Sequence, residues 1–188
     1  MVSEAQIGEL LVGAYHEIIT DAEVVSYNQR SKEQGKQMEI DVVAIDSEDD
    51  RRTIYLCEVI THLDGINYSG SLDTERWAEF GNEGYQYTLE KLWNKFHANQ
   101  DYATDVFSDS DEYVFQLWSP YVSKGKLTSG LDALSTKYEE ETGHEIDILV
   151  NEEYTKSIDK LREKAGEDKK RYGTPAFRFL QILEHMRR

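Results

Sequence analysis

Two carboxylates stand inside apolar runs of this 188-residue chain, where an unpaired charge is costly. Asp41 lies between Ile40 and Val42, and Glu58 lies between Cys57 and Val59. The runs that contain them, 38–46 and 53–61, are rich in β-branched residues and are predicted to be buried strands. The short charged turn between the runs predicts antiparallel pairing. Neighbouring positions on one face of that pair would bring the two carboxyl groups to roughly 5 Å.

A divalent cation is the partner that such a pair of acids favours. Two buried carboxylates at that distance repel each other and lose their hydration, and Mg²⁺ or Mn²⁺ bound to their oxygens would relieve both costs. Glu9 is a third candidate metal ligand, because it borders the apolar face of the first predicted helix. The alternatives are that the strand acids are solvated at strand ends or pair with basic residues, and that Glu9 is an ordinary exposed glutamate.

The elements that would position these acids follow from hydrophobic periodicity and turn residues. The first helix is predicted over 4–19 with Ser3 as its N-cap, and a second helix begins at Asp73 or Thr74, is interrupted near Gly81 and Gly84, and ends near Asn99. The other predicted strands are 23–27, 112–118 and 145–150, and the other predicted helices are 129–141, 152–165 and 175–187. The order α-β-β-β-α-β-α-β-α-α predicts an α/β fold with a mixed central sheet flanked by helices.

Three segments of this chain resemble the restriction-endonuclease-like, or PD-(D/E)XK, nuclease superfamily. They are the helical pair Gly8-Glu9, the strand segment 39–43 and the strand segment 57–61. The α-β-β-β-α-β order is also similar to the common core of that superfamily. The resemblance covers about residues 4–120 and leaves about 129–188 as a C-terminal α/β extension of a single domain, 1–188. It implies phosphodiester hydrolysis in DNA with Mg²⁺ or Mn²⁺ as the cofactor, and it implies Glu9, Asp41 and Glu58 as the metal-binding acids.

The chain departs from the family pattern at Ile60, which stands two residues after the second acid where the family has a lysine. Isoleucine can neither orient nor activate a water molecule. Another cation must therefore take this role, or the site is inactive. Lys36 in the loop before the second strand and Lys91 or Lys95 on the following helix are the candidates for this cation. Gln86 on the same helix resembles a glutamine that some relatives place near their site.

Composition narrows the class of protein further. Hydrophobic residues make up 39% and charged residues 31% of the chain, which indicates a globular fold, and the formal net charge of −16 opposes broad non-specific binding to nucleic acid or anionic membranes. The lone Cys57 and the absence of a signal peptide or a membrane-length apolar run predict a cytoplasmic protein.

Three functional interpretations remain open from the sequence. The first is a metal-dependent nuclease acting on DNA. The second is an inactive nuclease-fold module that binds nucleic acid or protein, and the third is an unrelated α/β protein with a small-molecule site. A homodimer also stays an open alternative.

Overall fold

The computed structural model describes residues 6–30, 39–48, 51–168 and 173–187. These ranges form an α/β structure in which a five-stranded mixed sheet is flanked by helices, as the sequence predicts. The strands are β1 (Val24–Arg30), β2 (Glu39–Glu48), β3 (Arg51–Val59), β4 (Glu112–Ser119) and β5 (Ile146–Val150). The helices are α1 (Ile7–Ile18), α2 (Glu83–Val106), α3 (Lys126–Thr142), α4 (Glu152–Glu167) and α5 (Pro175–Met186).

The sheet has the order β1-β2-β3-β4-β5. The pairs β1–β2 and β2–β3 are antiparallel, whereas β3–β4 and β4–β5 are parallel. The predicted antiparallel pairing of the two acidic strands is therefore confirmed. The parallel pairs follow from the helices that connect their strands, because a helical crossover returns the chain to the same end of the sheet.

Alternation along β3 divides the core into two layers. Ile54 and Leu56 pack into a cluster that includes Leu92 and Phe96 of α2 and extends to α3. The side chain of Cys57 belongs instead to a cluster with α1 and α4 on the opposite face. The sheet is consequently covered on both sides, with α2 and α3 on one face and α1, α4 and α5 on the other.

Two predicted helix boundaries are wrong or fall outside the described residues. The second helix begins at Glu83 and not at Asp73 or Thr74, because Gly81 has a φ of +94° that no right-handed helix adopts. The side chain of Asn82 then caps the first turn by accepting a hydrogen bond from the Tyr85 backbone amide at 3.0 Å. The first helix is capped at Gln6, and Ser3 lies outside the described residues.

None of the helices in the described part of the chain combines the length and the hydropathy that a bilayer-spanning helix needs.

Candidate active site at the end of strands β2 and β3

The register of β2 and β3 brings Asp41 beside Glu58. Val42 pairs with Cys57, so Asp41 and Glu58 occupy the next position along the two strands. Both acids share a strand face with Val43 and Leu56, which pack in the cluster beneath α2 and α3. The two carboxyl groups are therefore directed towards α2, on the side of the sheet away from α1.

Helix α2 supplies the direct partners of Glu58. The Lys95 ammonium donates a hydrogen bond to Oε2 of Glu58, and the Asn99 amide donates to Oε1 at 2.9 Å. The Glu58 side chain is 0% exposed, and that of Lys95 is 19% exposed. Lys95 and Asn99 are four residues apart, which places them on one face of the helix, one above the other.

Burial and charge set the protonation of this group. Burial raises the pKa of Glu58 to about 7, against the opposing effect of the Lys95 ammonium, and the nearby Asp41 carboxylate raises it further. Burial disfavours the charged form of Lys95, but the Glu58 and Asp41 carboxylates outweigh it and hold the pKa of Lys95 above its ordinary value. Lys95 is therefore a protonated hydrogen-bond donor throughout the physiological range.

Asp41 is held by the backbone of the neighbouring strand. Its Oδ2 accepts a hydrogen bond from the Val59 amide at 2.7 Å. Burial raises the pKa of Asp41, while the Lys95 ammonium and the Val59 amide act against that rise. Asp41 thus has one oxygen fixed by the main chain and lies on the open side of the acid pair.

A cleft of about 530 Å³ opens beside these residues. Its lining includes Asp41, Lys95 and Lys91, but not Glu58, and its remaining lining residues are Glu39, Ser71, Asp73, Tyr87, Glu90 and Asn94. The Lys91 ammonium lies 3.7 Å from the ring centroid of Tyr68, a cation–π contact that fixes it at the cleft wall. Burial, followed by repulsion from Lys95, lowers the pKa of Lys91.

Glu9 is buried, with 7% of its surface exposed, and lies near Asp41. One of its carboxyl oxygens accepts a hydrogen bond from the Gln6 amide at 2.9 Å and so caps α1. Burial raises the pKa of Glu9, the Gln6 amide opposes the rise, and the Asp41 carboxylate adds to it. Within the described ranges, no three histidine, cysteine, aspartate or glutamate side chains are grouped closely enough to hold a metal ion. Asp41 lies within electrostatic range of both Glu9 and Glu58, but the three acids of the resemblance do not form a closed ligand set in this structure.

An irregular residue of β1 lies opposite Asp41. In the register of β1 and β2, Tyr27 is opposite Val42 and Gln29 is opposite Ile40. Asn28 and Asp41 lie between these two pairs and are therefore opposite each other. Asn28 has a φ of +53°, which is rare inside a strand and marks a local departure from regular pairing. Its side chain lowers the pKa of Glu9 by hydrogen bonding, which ties this irregular position to the acids.

The candidate lysines and Gln86 have separate outcomes. Lys91 and Lys95 both line the cleft, but the direct contact with Glu58 belongs to Lys95. Lys36 lies outside the described residues. The Gln86 amide donates to the backbone carbonyl oxygens of Ala78 and Gly81, so it fastens the loop before α2, and Gln86 is not among the residues that line the cleft.

Asn99 and Tyr68 were not predicted as site residues. The spacing of Lys91, Lys95 and Asn99 by four residues is the signal that could have identified one polar stripe on α2. No comparable signal marks Tyr68, which lies in the loop before the helix and reaches the site through tertiary packing.

Comparisons of the chain with protein-family models, with curated protein sequences and with solved structures gave no match.

Proposed function

We propose that this chain is a metal-dependent nuclease that hydrolyses phosphodiester bonds in DNA and is related to the restriction-endonuclease-like superfamily. In this proposal Asp41 and Glu58 bind Mg²⁺ or Mn²⁺, and Lys95 replaces the lysine that Ile60 displaces. The observation that carries the proposal is the convergence of Asp41, Glu58 and Lys95 from two strands and a facing helix beside one cleft, which Asp41 and Lys95 line. The helix-strand order from α1 to β4 agrees with the core that the resemblance implies.

The residues fit a hard divalent cation. Mg²⁺ and Mn²⁺ prefer carboxylate oxygens, and Asp41 and Glu58 are neighbouring carboxylates whose pKa values burial raises. Such a pair is stabilised by any cation that enters between them. Glu9 on α1 lies within electrostatic range of Asp41, and its negative charge would support cation binding at the site. The bound ion would supply Lewis-acid activation of water and charge neutralisation at the scissile phosphate.

Lys95 and Lys91 would hold the substrate. The raised pKa of Lys95 makes it unsuitable as a general base, because its ammonium gives up a proton only at high pH. Its role is to donate hydrogen bonds to a phosphate oxygen and to stabilise the negative charge that grows during hydrolysis. Lys91, held over Tyr68, places a second positive charge along the same wall of the cleft.

A second candidate function is that of an inactive nuclease-fold module that binds nucleic acid or protein. Two observations favour it. Both oxygens of Glu58 already have partners within the chain, and Ile60 is only 4% exposed and packs in the core. In this case the Glu58–Lys95–Asn99 group would be a structural pair that fixes α2 on the sheet.

A cytoplasmic location is also part of the proposal. Cys57 is a free, buried thiol, and burial raises its pKa well above the ordinary value, so it is unreactive. A free thiol of this kind is compatible with a reducing cytoplasm.

A cleavage assay with four variants separates the two functions. Single- and double-stranded DNA and RNA are incubated with the protein and either Mg²⁺ or Mn²⁺. If the proposal is right, wild type cuts DNA, and Asp41→Asn, Glu58→Gln and Lys95→Met each lower the rate by roughly 10²–10⁴, the scale of a lost metal ligand or positioned donor. Asp73→Asn is the matched control, since Asp73 lines the same cleft outside the acid pair, and it should retain the rate.

Circular dichroism must show that each variant is folded. If folded wild type cuts neither DNA nor RNA with either metal across a range of salt, the nuclease is rejected and the binding module is favoured.

A further inference from the structure

Glu58 has no direct access to the cleft in this structure. Asp41 and Lys95 line the cleft, whereas Glu58 is fully buried and does not. The Lys95 side chain reaches from the cleft wall to Oε2 of Glu58, so it lies between that carboxylate and the solvent. The opposite oxygen is bonded to Asn99, which is itself buried.

The two halves of the proposed cation site therefore differ in accessibility. An ion that enters the cleft meets Asp41, which has only one oxygen fixed by the Val59 amide. It meets Glu58 only after the Lys95 ammonium has moved, because the two cations compete for one carboxylate oxygen. The long, flexible lysine side chain can leave in the direction of the cleft, where it is already partly exposed.

We propose that Lys95 is an internal counter-cation that closes the Glu58 half of the site, and that a divalent cation binds across Asp41 and Glu58 by exchanging with it. The exchange transfers the ammonium group from Glu58 to the cleft, where the phosphate of a substrate would lie. Metal binding and presentation of Lys95 to the substrate are thus one event. This inference rests on the proposed function, because it assumes that the acid pair binds a divalent cation.

The exchange makes metal affinity depend on a residue that is not a metal ligand. Removing the charge of Lys95 abolishes the competition and leaves Glu58 without its internal partner, so the variant should bind a divalent cation more tightly than wild type. Lys91 is the matched control. It lies one helical turn away and lines the same cleft, but its ammonium is held by the Tyr68 ring.

The test is calorimetric titration of the full chain with Mn²⁺ alone, at several pH values above neutrality, because loss of the Lys95 ammonium raises the pKa of Glu58 further and a proton would otherwise compete with the metal. Lys95→Met should lower the Kd for Mn²⁺ by at least about tenfold, the effect of removing a competing charge from a buried carboxylate. Lys91→Met should change the Kd by less than about threefold, because a partly exposed charge acts weakly on the site. The gain in Lys95→Met should disappear when Glu58→Gln is added.

Lys95→Gln keeps a neutral hydrogen-bond donor towards Glu58 and serves if Lys95→Met fails to fold. It should also bind Mn²⁺ more tightly than wild type. Equal or weaker binding by either folded Lys95 variant overturns the exchange.

The outcomes separate this inference from the nuclease proposal. If wild type cuts DNA and the Lys95 variants bind Mn²⁺ no more tightly than wild type, the exchange is rejected and the nuclease stands. If wild type is inactive on nucleic acid but Lys95→Met gains Mn²⁺ affinity, the exchange stands and the nuclease is rejected. If neither wild type nor the variants bind Mn²⁺, both are rejected.

Discussion

Glu58 is the residue on which the account depends most, because it is a fully buried acid that packing alone would not require. Its position and that of Asp41 could be predicted from the apolar strands that contain them. The choice of Lys95 over Lys91 could not, since both lie on the same helical stripe and differ only in how far each reaches across the sheet. The four-residue spacing places Asn99 on that stripe as well, but only the structure shows that its amide donates to Glu58.

Titration of Glu58 gives the first prediction. The pKa of Glu58 is about 7 in the folded chain and near 4.5 when solvated, so between these values the folded state binds more protons than the unfolded state. The free energy of unfolding should therefore fall as pH rises from about 4.5 to 7, by up to about 3 kcal/mol. Urea denaturation of wild type and Glu58→Gln gives the free energy of unfolding of each protein at each pH in this range. The difference between the two pH profiles is the contribution of Glu58. Parallel profiles would refute the raised pKa.

His16 gives a prediction of opposite sign on the other face of the sheet. Burial lowers the pKa of His16 to about 4, against the opposing effect of the hydrogen bond that its ring Nε2 donates to Oε1 of Gln116 at 3.0 Å. The unfolded chain therefore binds the extra proton between about 6.5 and 4, and wild type should lose up to about 3 kcal/mol relative to His16→Gln as pH falls through this window. Chemical denaturation at pH 7 and pH 4.5 checks it. A loss in both proteins by the same amount would show that His16 does not titrate as argued.

Helices α1 and α2 cover opposite faces of the sheet, and α2 supplies the lysines on the face that carries Asp41 and Glu58. Their existence follows from apolar periodicity, but the start of α2 could not be obtained from it, because residues 74–80 also carry apolar side chains. Trp77 of that segment is fully buried against Trp93, so it packs in the core without belonging to the helix. The backbone conformation of Gly81 decides the boundary, and a sequence pattern does not specify which glycine takes a positive φ.

The close packing of α1 against the sheet gives the third prediction. A Cβ added at Gly13 would overlap the ring and hydroxyl of Tyr27 on β1. Gly13→Ala should therefore destabilise the protein by about 1–3 kcal/mol through overpacking, although alanine favours a helix by about 0.5–1 kcal/mol over glycine. In a Tyr27→Val background, where the ring is gone, the same change should become neutral or stabilising. Thermal unfolding of the four proteins completes the cycle, and an equal effect in both backgrounds would contradict the close packing.

The whole molecule carries a net charge of −16, and its cleft is lined by four acids and two lysines. The mixed sheet and its two covering layers could be predicted from the order of elements. The cleft could not, because it is formed by the loop before α2 together with the strand acids and the helix. Its acidic surroundings suit a cation better than a phosphate backbone, so under the proposed function a nucleic-acid substrate would approach against the mean field.

The repulsive electrostatic field of the net negative charge gives the fourth prediction. For a nuclease of this charge, kcat/KM should rise by about two- to fivefold as NaCl is increased from about 20 to 150 mM at fixed Mg²⁺, because salt screens the repulsion of substrate. Basic nucleases show the reverse, since salt screens an attraction. Initial rates on one oligonucleotide across the salt range measure the effect. A steady fall with salt would mean that a basic surface guides the substrate and that the net charge is irrelevant to binding.

The most direct test of the central claim is anomalous diffraction from crystals of the wild-type chain containing Mn²⁺. We expect a single strong peak between the carboxyl groups of Asp41 and Glu58, within coordination distance of an oxygen of each. The Lys95 ammonium should have left Glu58 and point into the cleft. A structure at millimolar Mn²⁺ with no peak there, and with Lys95 still bonded to Glu58, would contradict the account.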